Sequence, residues 1–365
     1  MPARLKPWLH WTSIVPLVAV VLLALTWGRY PGPILLLIEG VFLIGSVLAA
    51  VHHAEVVAHR VGEPFGSLVL AVAVAVIEVA LIVTLMLSAT SDASTLARDT
   101  VFSAVMITMN GIVGLSLLVG ARRHGLVSFN AEGTGSALAT VITLATLTLV
   151  LPRFTTSEPG PVFSPAQLTF AAIASLALYG FFVFTQTVRH RDFFLPTAPD
   201  GGVLTEDDHA EPPTTAQALN SLGLLLVALV AVVGLTKIES PAIEAGVAAL
   251  GFPESFVGVV IALLVLLPES IAAVKAARRN RVQTSLNLAY GSAMASIGLT
   301  IPTIAVASIW IPGRLALGLE AVHMVLLLLS VVVALLTVIP GRAKTLQGWV
   351  HLVLLASFLF LSVTP

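Results

Sequence analysis

Two glutamates stand inside otherwise apolar runs, in the stretches GEPFGSLVLAVAVAVIE (62–78) and PESFVGVVIALLVLLPE (253–269). An ionised carboxylate at the centre of a bilayer costs about 2.5–3.5 kcal/mol on insertion scales. Glu78 and Glu269 must therefore be paired, protonated or bound to a cation. A shift of 191 residues sets Glu63 on Glu254, Phe65 on Phe256, Ala71 on Ala262, Val74 on Val265 and Glu78 on Glu269. Alanine and valine matches are cheap in apolar sequence; two acids and a phenylalanine in one register are not. Two facing carboxylates repel, so such a pair would hold protons when empty and surrender them to a metal ion. Pro268 has no N–H and leaves the carbonyl of Leu264 without its helical partner. A helix break there would set a free carbonyl beside a carboxylate, a hard oxygen site suited to Ca²⁺ or Na⁺.

Neutral oxygens for the same site come from two further apolar segments. Thr108 and Asn110 lie in the middle of one, and Ser285, Ser292, Ser296 and Thr300 form a stripe at helical spacing on the other. The competing reading for each hydroxyl is a bond back to its own helix. Gly111, Gly114, Gly291 and Gly298 would allow close helix approach. Glu63 and Glu254 fall at opposite mouths of the membrane, as pathway or gate groups, or as acids that stabilise a helix N-terminus. His52, Glu55 and His59 recur at i, i+3 and i+7 and share one helix face. That face suits a proton or cation pathway, or the metal site of an intramembrane metalloenzyme. Glu39, Glu320 and His323 lie toward the outer face as candidate pathway lining. With no cysteine in the chain, thiolate metal sites and cysteine nucleophiles are excluded.

The elements that must position these residues follow from composition. Of 365 residues, 57% are hydrophobic and 10% charged, too few charges to cover a water-facing surface. The pattern predicts an all-α polytopic membrane protein of eleven spans, at about 11–27, 33–58, 64–90, 98–120, 134–151, 165–188, 216–236, 254–277, 283–309, 315–338 and 345–363. The run after Arg4 and Lys6 mimics a secretory leader, but it lacks a small-residue cleavage site and further spans follow, so it is kept as a helix. With the N-terminus in the cytoplasm, thirteen of the eighteen Lys and Arg residues fall on the cytoplasmic side. With an odd number of spans this predicts a C-terminus outside. Arg29, Arg98, Arg153, Lys237 and Arg314 are the five assigned to outer loops. The net charge of −1 offers nothing to nucleic acid, and no cofactor is expected. The partners expected are the transported cation, protons and the lipid bilayer.

The expected division is an extra N-terminal helix (1–30), a first five-helix repeat (31–188), an acidic cytoplasmic linker (189–215) and a second repeat (216–365). Glu206, Asp207, Asp208 and Glu211 cluster in the linker. An odd number of helices per repeat turns the second copy upside down, the plan of secondary transporters with a midplane ion site.

The two stretches, with LLPESIAAVKAARRNRVQTSLNLAYGSAMASIGLTIP and HHAEVVAHRVGEPFG, resemble the calcium/cation antiporter superfamily, most closely its bacterial calcium/proton antiporter branch. The resemblance covers most of the chain outside the linker and first helix. It implies eleven helices in an inverted five-plus-five arrangement in the bacterial inner membrane and exchange of Ca²⁺, Na⁺ or K⁺ for protons by alternating access. The family's G-N-x-x-E glutamates match Glu78 and Glu269, but Ala75 and Leu266 replace the asparagines, so backbone oxygens must carry more of the coordination. The alternatives are the metalloenzyme and a cation channel; the inverted repeat argues against the channel.

Overall fold

The structure is a computed structural model. It describes residues 10–29, 31–62, 65–88, 93–195, 213–310 and 314–364. Among these, eleven helices follow one another: α1 (Trp11–Thr26), α2 (Pro33–Val61), α3 (Phe65–Ser88), α4 (Leu96–His124), α5 (Ala131–Arg153), α6 (Pro165–Arg189), α7 (Thr215–Ala249), α8 (Phe256–Arg278), α9 (Val282–Ala307), α10 (Ala321–Val338) and α11 (Thr345–Val363). Nine of the described helices are long and apolar enough to cross a membrane, and α1 and residues 72–87 of α3 are shorter apolar helices. All-helical architecture is what a bilayer demands, because every backbone polar group must be satisfied within the protein.

Packing sorts the chain into two compact units. The first holds α1, α2, α3 and α7; the second holds α4, α5, α6 and α8 to α11. Each unit draws helices from both sides of the linker. Most of the linker, with its cluster of Glu206, Asp207, Asp208 and Glu211, lies outside the described residues.

In the first unit α1 packs between α2 and α7. Gly45 accommodates Val15 and Gly234 accommodates Leu23, both of α1. With Thr12 beside His53 and Trp27 beside Lys237, these contacts set α1 antiparallel to α2 and parallel to α7. Arg60 at the end of α2 donates to the hydroxyl of Thr215 at the start of α7, 2.9 Å away. α7 opens with a capping box built by Thr214 and Gln217, which satisfies backbone N–H groups at its first turn.

In the second unit α4 is the innermost helix, with nearly all of its most apolar stretch buried. It widens into a π-helical turn over Ile107–Ile112. Gly348 of α11 lies where a β-carbon would stand 2.6 Å from the backbone nitrogen of Leu118 and 2.9 Å from the carbonyl of Gly114. The α4–α11 crossing is therefore a small-residue contact. A two-residue antiparallel ladder, Val127–Ser128 with Arg342–Ala343, ties the α4–α5 turn to the α10–α11 turn.

Several boundaries differ from expectation. α7 runs past residue 236 to Ala249 and carries Pro241 within it, so Lys237 is a helical residue whose ammonium sits 5.1 Å from the centre of the Trp27 ring. Arg98 is buried in α4, bonded to Asp99 at 2.8 Å, instead of lying in a loop. α9 is interrupted at Leu299. Residues 315–319, expected to be helical, are non-helical and buried; the N–H groups of Ala316, Gly318 and Leu319 donate to Ser94 O, Pro161 O and Leu149 O. Non-helical backbone at membrane depth survives where protein groups satisfy it in this way. Pro268 does not break its helix: α8 is continuous from Phe256 to Arg278. One missing N–H removes one hydrogen bond, and the bonds on either side hold the helix together. Gly111, Gly114 and Gly298 do face close neighbours, but nothing lies within 4 Å of a β-carbon at Gly291.

Candidate functional site

Glu78 is the fourteenth residue of α3 and Glu269 the fourteenth of α8. Each sits near the middle of an apolar helix, and their residual exposures are 2% and 9%. Glu78 belongs to the first unit and Glu269 to the second.

The second unit gathers most of the other oxygen-bearing residues around α8. The π-turn of α4 packs against both α8 and α9. Ala104 and Ile107 of α4 meet Ala262 and Leu266 of α8 in a buried cluster closed by Leu355. Leu266 stands one turn before Glu269, so this contact fixes the height of the carboxylate against the π-turn. Leu264 is half-buried, Ser292 is half-buried and Ser296 is buried. Ser285 donates to the carbonyl of Ala273 at 2.6 Å, tying α9 to α8 one turn beyond Glu269.

Thr108 and Asn110 are both buried in the π-turn, with different partners. The Thr108 hydroxyl donates to the carbonyls of Ala104 (2.8 Å) and Val105 (3.0 Å), the back-bond expected of a helical threonine. Asn110 anchors a network across three helices. Its Nδ2 donates to Ser330 Oγ of α10 at 2.9 Å. Its Oδ1 faces Nδ1 of His351 of α11 at 3.2 Å. Nε2 of His351 in turn faces Thr337 Oγ1 at 3.2 Å. The orientation of the amide follows from the donors. Ser330 gives its proton to Leu326 O at 2.7 Å, so it can only accept from Asn110, and the amide oxygen is left to face the imidazole. This network holds a π-turn open at the height of the α8 contact. Such turns recur at functional sites because they re-aim side chains within a helix.

The histidine face of α2 does not gather metal ligands. His52, Glu55 and His59 are exposed, and no group of three His, Asp or Glu residues that could hold a metal occurs among the described residues. The buried histidine is the neighbour, His53, whose Nε2 lies 3.0 Å from the carbonyl of Thr12. Spacing alone favoured His52; packing of α2 against α1 turned His53 inward instead. Glu254 is exposed in the turn before α8, and its carbonyl accepts from the N–H of Val257. Glu63 lies outside the described residues. Glu39 is buried, while Glu320 is exposed, its Oε1 3.7 Å from Arg98. The His323 ring stacks at a tilt near Phe102.

Sequence reasoning missed Glu239, His351 and Ser330. His351 and Ser330 carried a signal, as polar residues in apolar spans, but their partner Asn110 is more than 200 residues away. Glu239 was hidden by the assumption that its helix had already ended.

Comparison with known proteins agrees with this fold. The profile of the family described as sodium/calcium exchanger protein matches residues 31–188 and 220–364. A putative ionic transporter, y4hA, of Sinorhizobium fredii is 45% identical over 97% of this chain and 96% of its own length. The sodium-potassium/proton antiporter ChaA of Escherichia coli is 36% identical over 95% of each chain. Among solved structures, native YfkE superposes with a TM-score of 0.72 at 16% identity, covering 97% of this chain and 99% of its own. The H⁺/Ca²⁺ exchanger CAX gives 0.69 at 17%, covering 96% of this chain and 86% of its own. At these identities the two structures speak for the fold alone. The two matched stretches together span most of the chain, and the chain belongs to the sodium/calcium exchanger protein family: it is a multi-pass membrane antiporter of cations, and not an enzyme.

Proposed function

We propose that this protein exchanges a cation, Ca²⁺ in the first place and Na⁺ or K⁺ as the alternatives, for protons by alternating access, and that Glu78 and Glu269 bind cation and protons in turn. The observation that carries the reading is the burial of one carboxylate at the middle of α3 and another at the middle of α8. Two carboxylates neutralise one Ca²⁺ or hold two protons, so both loaded forms cross the bilayer near neutrality. The doubly charged empty form is the costly one, and its cost discourages switching without cargo. Leu264, through its carbonyl opposite Pro268, and Ser292 and Ser296 supply neutral oxygens, with Thr108 and Asn110 shaping the wall through the π-turn.

The family profile matches two separate stretches, one on each side of the linker, which supports a division into two repeats. The names of ChaA and CAX support proton coupling and both classes of cation. The Lys and Arg bias supports a cytoplasmic N-terminus in a bacterial inner membrane; with Arg98 and Lys237 placed in helices, the outer loops carry even fewer basic residues. The exchange needs no cofactor. Glu63, Glu254, His52, Glu55 and His59 are assigned to the mouths of the pathway.

The test is cation-driven proton flux in proteoliposomes. Glu78→Gln and Glu269→Gln each abolish exchange while the protein stays folded. Full exchange in both variants would end the reading.

A further inference from the structure

A groove of about 360 Å³ opens between α1 and α7 of the first unit, lined by Leu23, Trp27, Leu229, Val230, Val233 and Gly234. Its floor is the close approach at Gly234, where Leu23 comes up against the α7 backbone. Trp27, four residues on from Leu23, and Val230 form its rims and stay 56% and 57% exposed. Every lining residue is apolar, so neither an ion nor a polar solute fits along it.

The groove ends in positive charge. Val230, Val233 and Lys237 recur at i, i+3 and i+7 and share a face of α7. The Lys237 side chain is exposed, and its ammonium lies 5.1 Å from the centre of the Trp27 ring. Arg29, two residues beyond Trp27, is exposed at the same end. Neither cation has a carboxylate partner among the described residues. Glu239, two residues from Lys237, is buried and points to another side of the helix. Glu244, two turns on, accepts from Ser240 at 3.2 Å. Depth follows from α1, whose 16 residues make about 24 Å of helix with exposed Trp11 and Trp27 at its two ends. Tryptophan collects at the level of lipid headgroups. The charged end of the groove therefore lies at phosphate depth and its apolar length at acyl-chain depth.

We infer that this groove binds an anionic phospholipid, with one acyl chain along Val230 and Val233 between α1 and α7, and the phosphate headgroup at Lys237 and Arg29. A neutral lipid fills the apolar length and leaves both cations unmet. A protein segment would have to bring an acid of its own to this depth. The anionic lipid answers both parts of the site, and basic pockets between membrane helices hold such headgroups. The chain then fills a seam that the side chains of the two helices leave open. The inference does not rest on the assignment of Glu78 and Glu269.

The experiment is quenching of Trp27 fluorescence by phospholipids brominated on the acyl chain. The full-length protein, with phenylalanine at its other four tryptophans, is reconstituted in phosphatidylcholine bilayers. Brominated phosphatidylglycerol as a minor component is expected to quench Trp27 in preference to brominated phosphatidylcholine, by about fivefold. Lys237→Gln/Arg29→Gln is expected to remove the preference, and Val230→Phe, which fills the groove, to lower quenching by both lipids. Equal quenching by the two lipids, or a preference that survives Lys237→Gln/Arg29→Gln, overturns the proposal. Quenching unchanged by Val230→Phe also overturns it, since headgroup attraction would then act without a chain in the groove. So does no quenching by either lipid, which would show that protein, a second copy of the chain included, covers the groove. The chain with all its tryptophans gives an independent reading in native mass spectrometry from mixed lipid. There Lys237→Gln/Arg29→Gln is expected to carry one phosphatidylglycerol fewer than the wild type, and equal occupancy overturns the proposal.

Discussion

Asn110 makes the sharpest test of how the π-turn is held. Asn110→Ala removes the donor that Ser330 accepts and the acceptor that faces His351 Nδ1. Ser330 keeps its bond to Leu326 O, so its loss is small. A neutral imidazole can move its proton from Nδ1 to Nε2 and donate to Thr337 instead, which leaves Nδ1 buried and unsatisfied. An unsatisfied buried group costs about 1–3 kcal/mol, and the space vacated by the amide adds a smaller cavity term, for a total of about 2–4 kcal/mol. The part that belongs to the Asn110–His351 pair is smaller, because polar pairs between membrane helices average about 0.6 kcal/mol and reach about 1.7. A double-mutant cycle with His351→Ala isolates that part. The assay is SDS-driven unfolding in mixed micelles, followed by circular dichroism, with cation/proton exchange measured in parallel. Both single variants are expected to lose stability, with a positive coupling inside that range, and Asn110→Ala to exchange more slowly. Single-variant losses within about 0.5 kcal/mol, or a coupling of zero, would refute the network.

Two further outcomes follow from the packing. Gly348→Val drives a side chain into the backbone of α4 at Leu118 and Gly114 and is expected to lower stability by about 1–3 kcal/mol, whereas Gly291→Ala enters open space and is expected to be neutral or to stabilise by up to about 1 kcal/mol; thermal unfolding of the two variants in detergent separates them. Pro268→Ala returns an N–H to the carbonyl of Leu264 and is expected to raise the KM for cation without weakening α8, read by exchange assays over a cation series; an unchanged KM would remove Leu264 from the site.

How much of this was written in the sequence differs from residue to residue. Glu78 and Glu269 were legible because an acid in an apolar window has few explanations, and the repeat gave each a counterpart. The helix count was legible because lipid imposes a minimum apolar length. The buried non-helical segment at 315–319 was not, since hydropathy reports burial and says nothing of whether the backbone is helical. Residues 237–249 were misread because Glu239, Ser240 and Pro241 together look like a turn; in α7 the proline is tolerated within a long packed helix. The role of Asn110 depended on His351 and Ser330, and the burial of His53 on α1. Such tertiary choices leave no local periodicity.

The Arg60–Thr215 bond joins residues 155 positions apart, and this has a bearing on how the protein is made. The first unit cannot close until α7 leaves the ribosome, after all of α3 to α6 has been synthesised. At 5–20 residues per second that interval is roughly 10–30 s. Throughout it α2 waits in the bilayer without the helix it packs against, and newly inserted α4 to α6 wait likewise for α8 to α11. Biogenesis must therefore shelter two half-built bundles at once, and late segments of the nascent chain complete both.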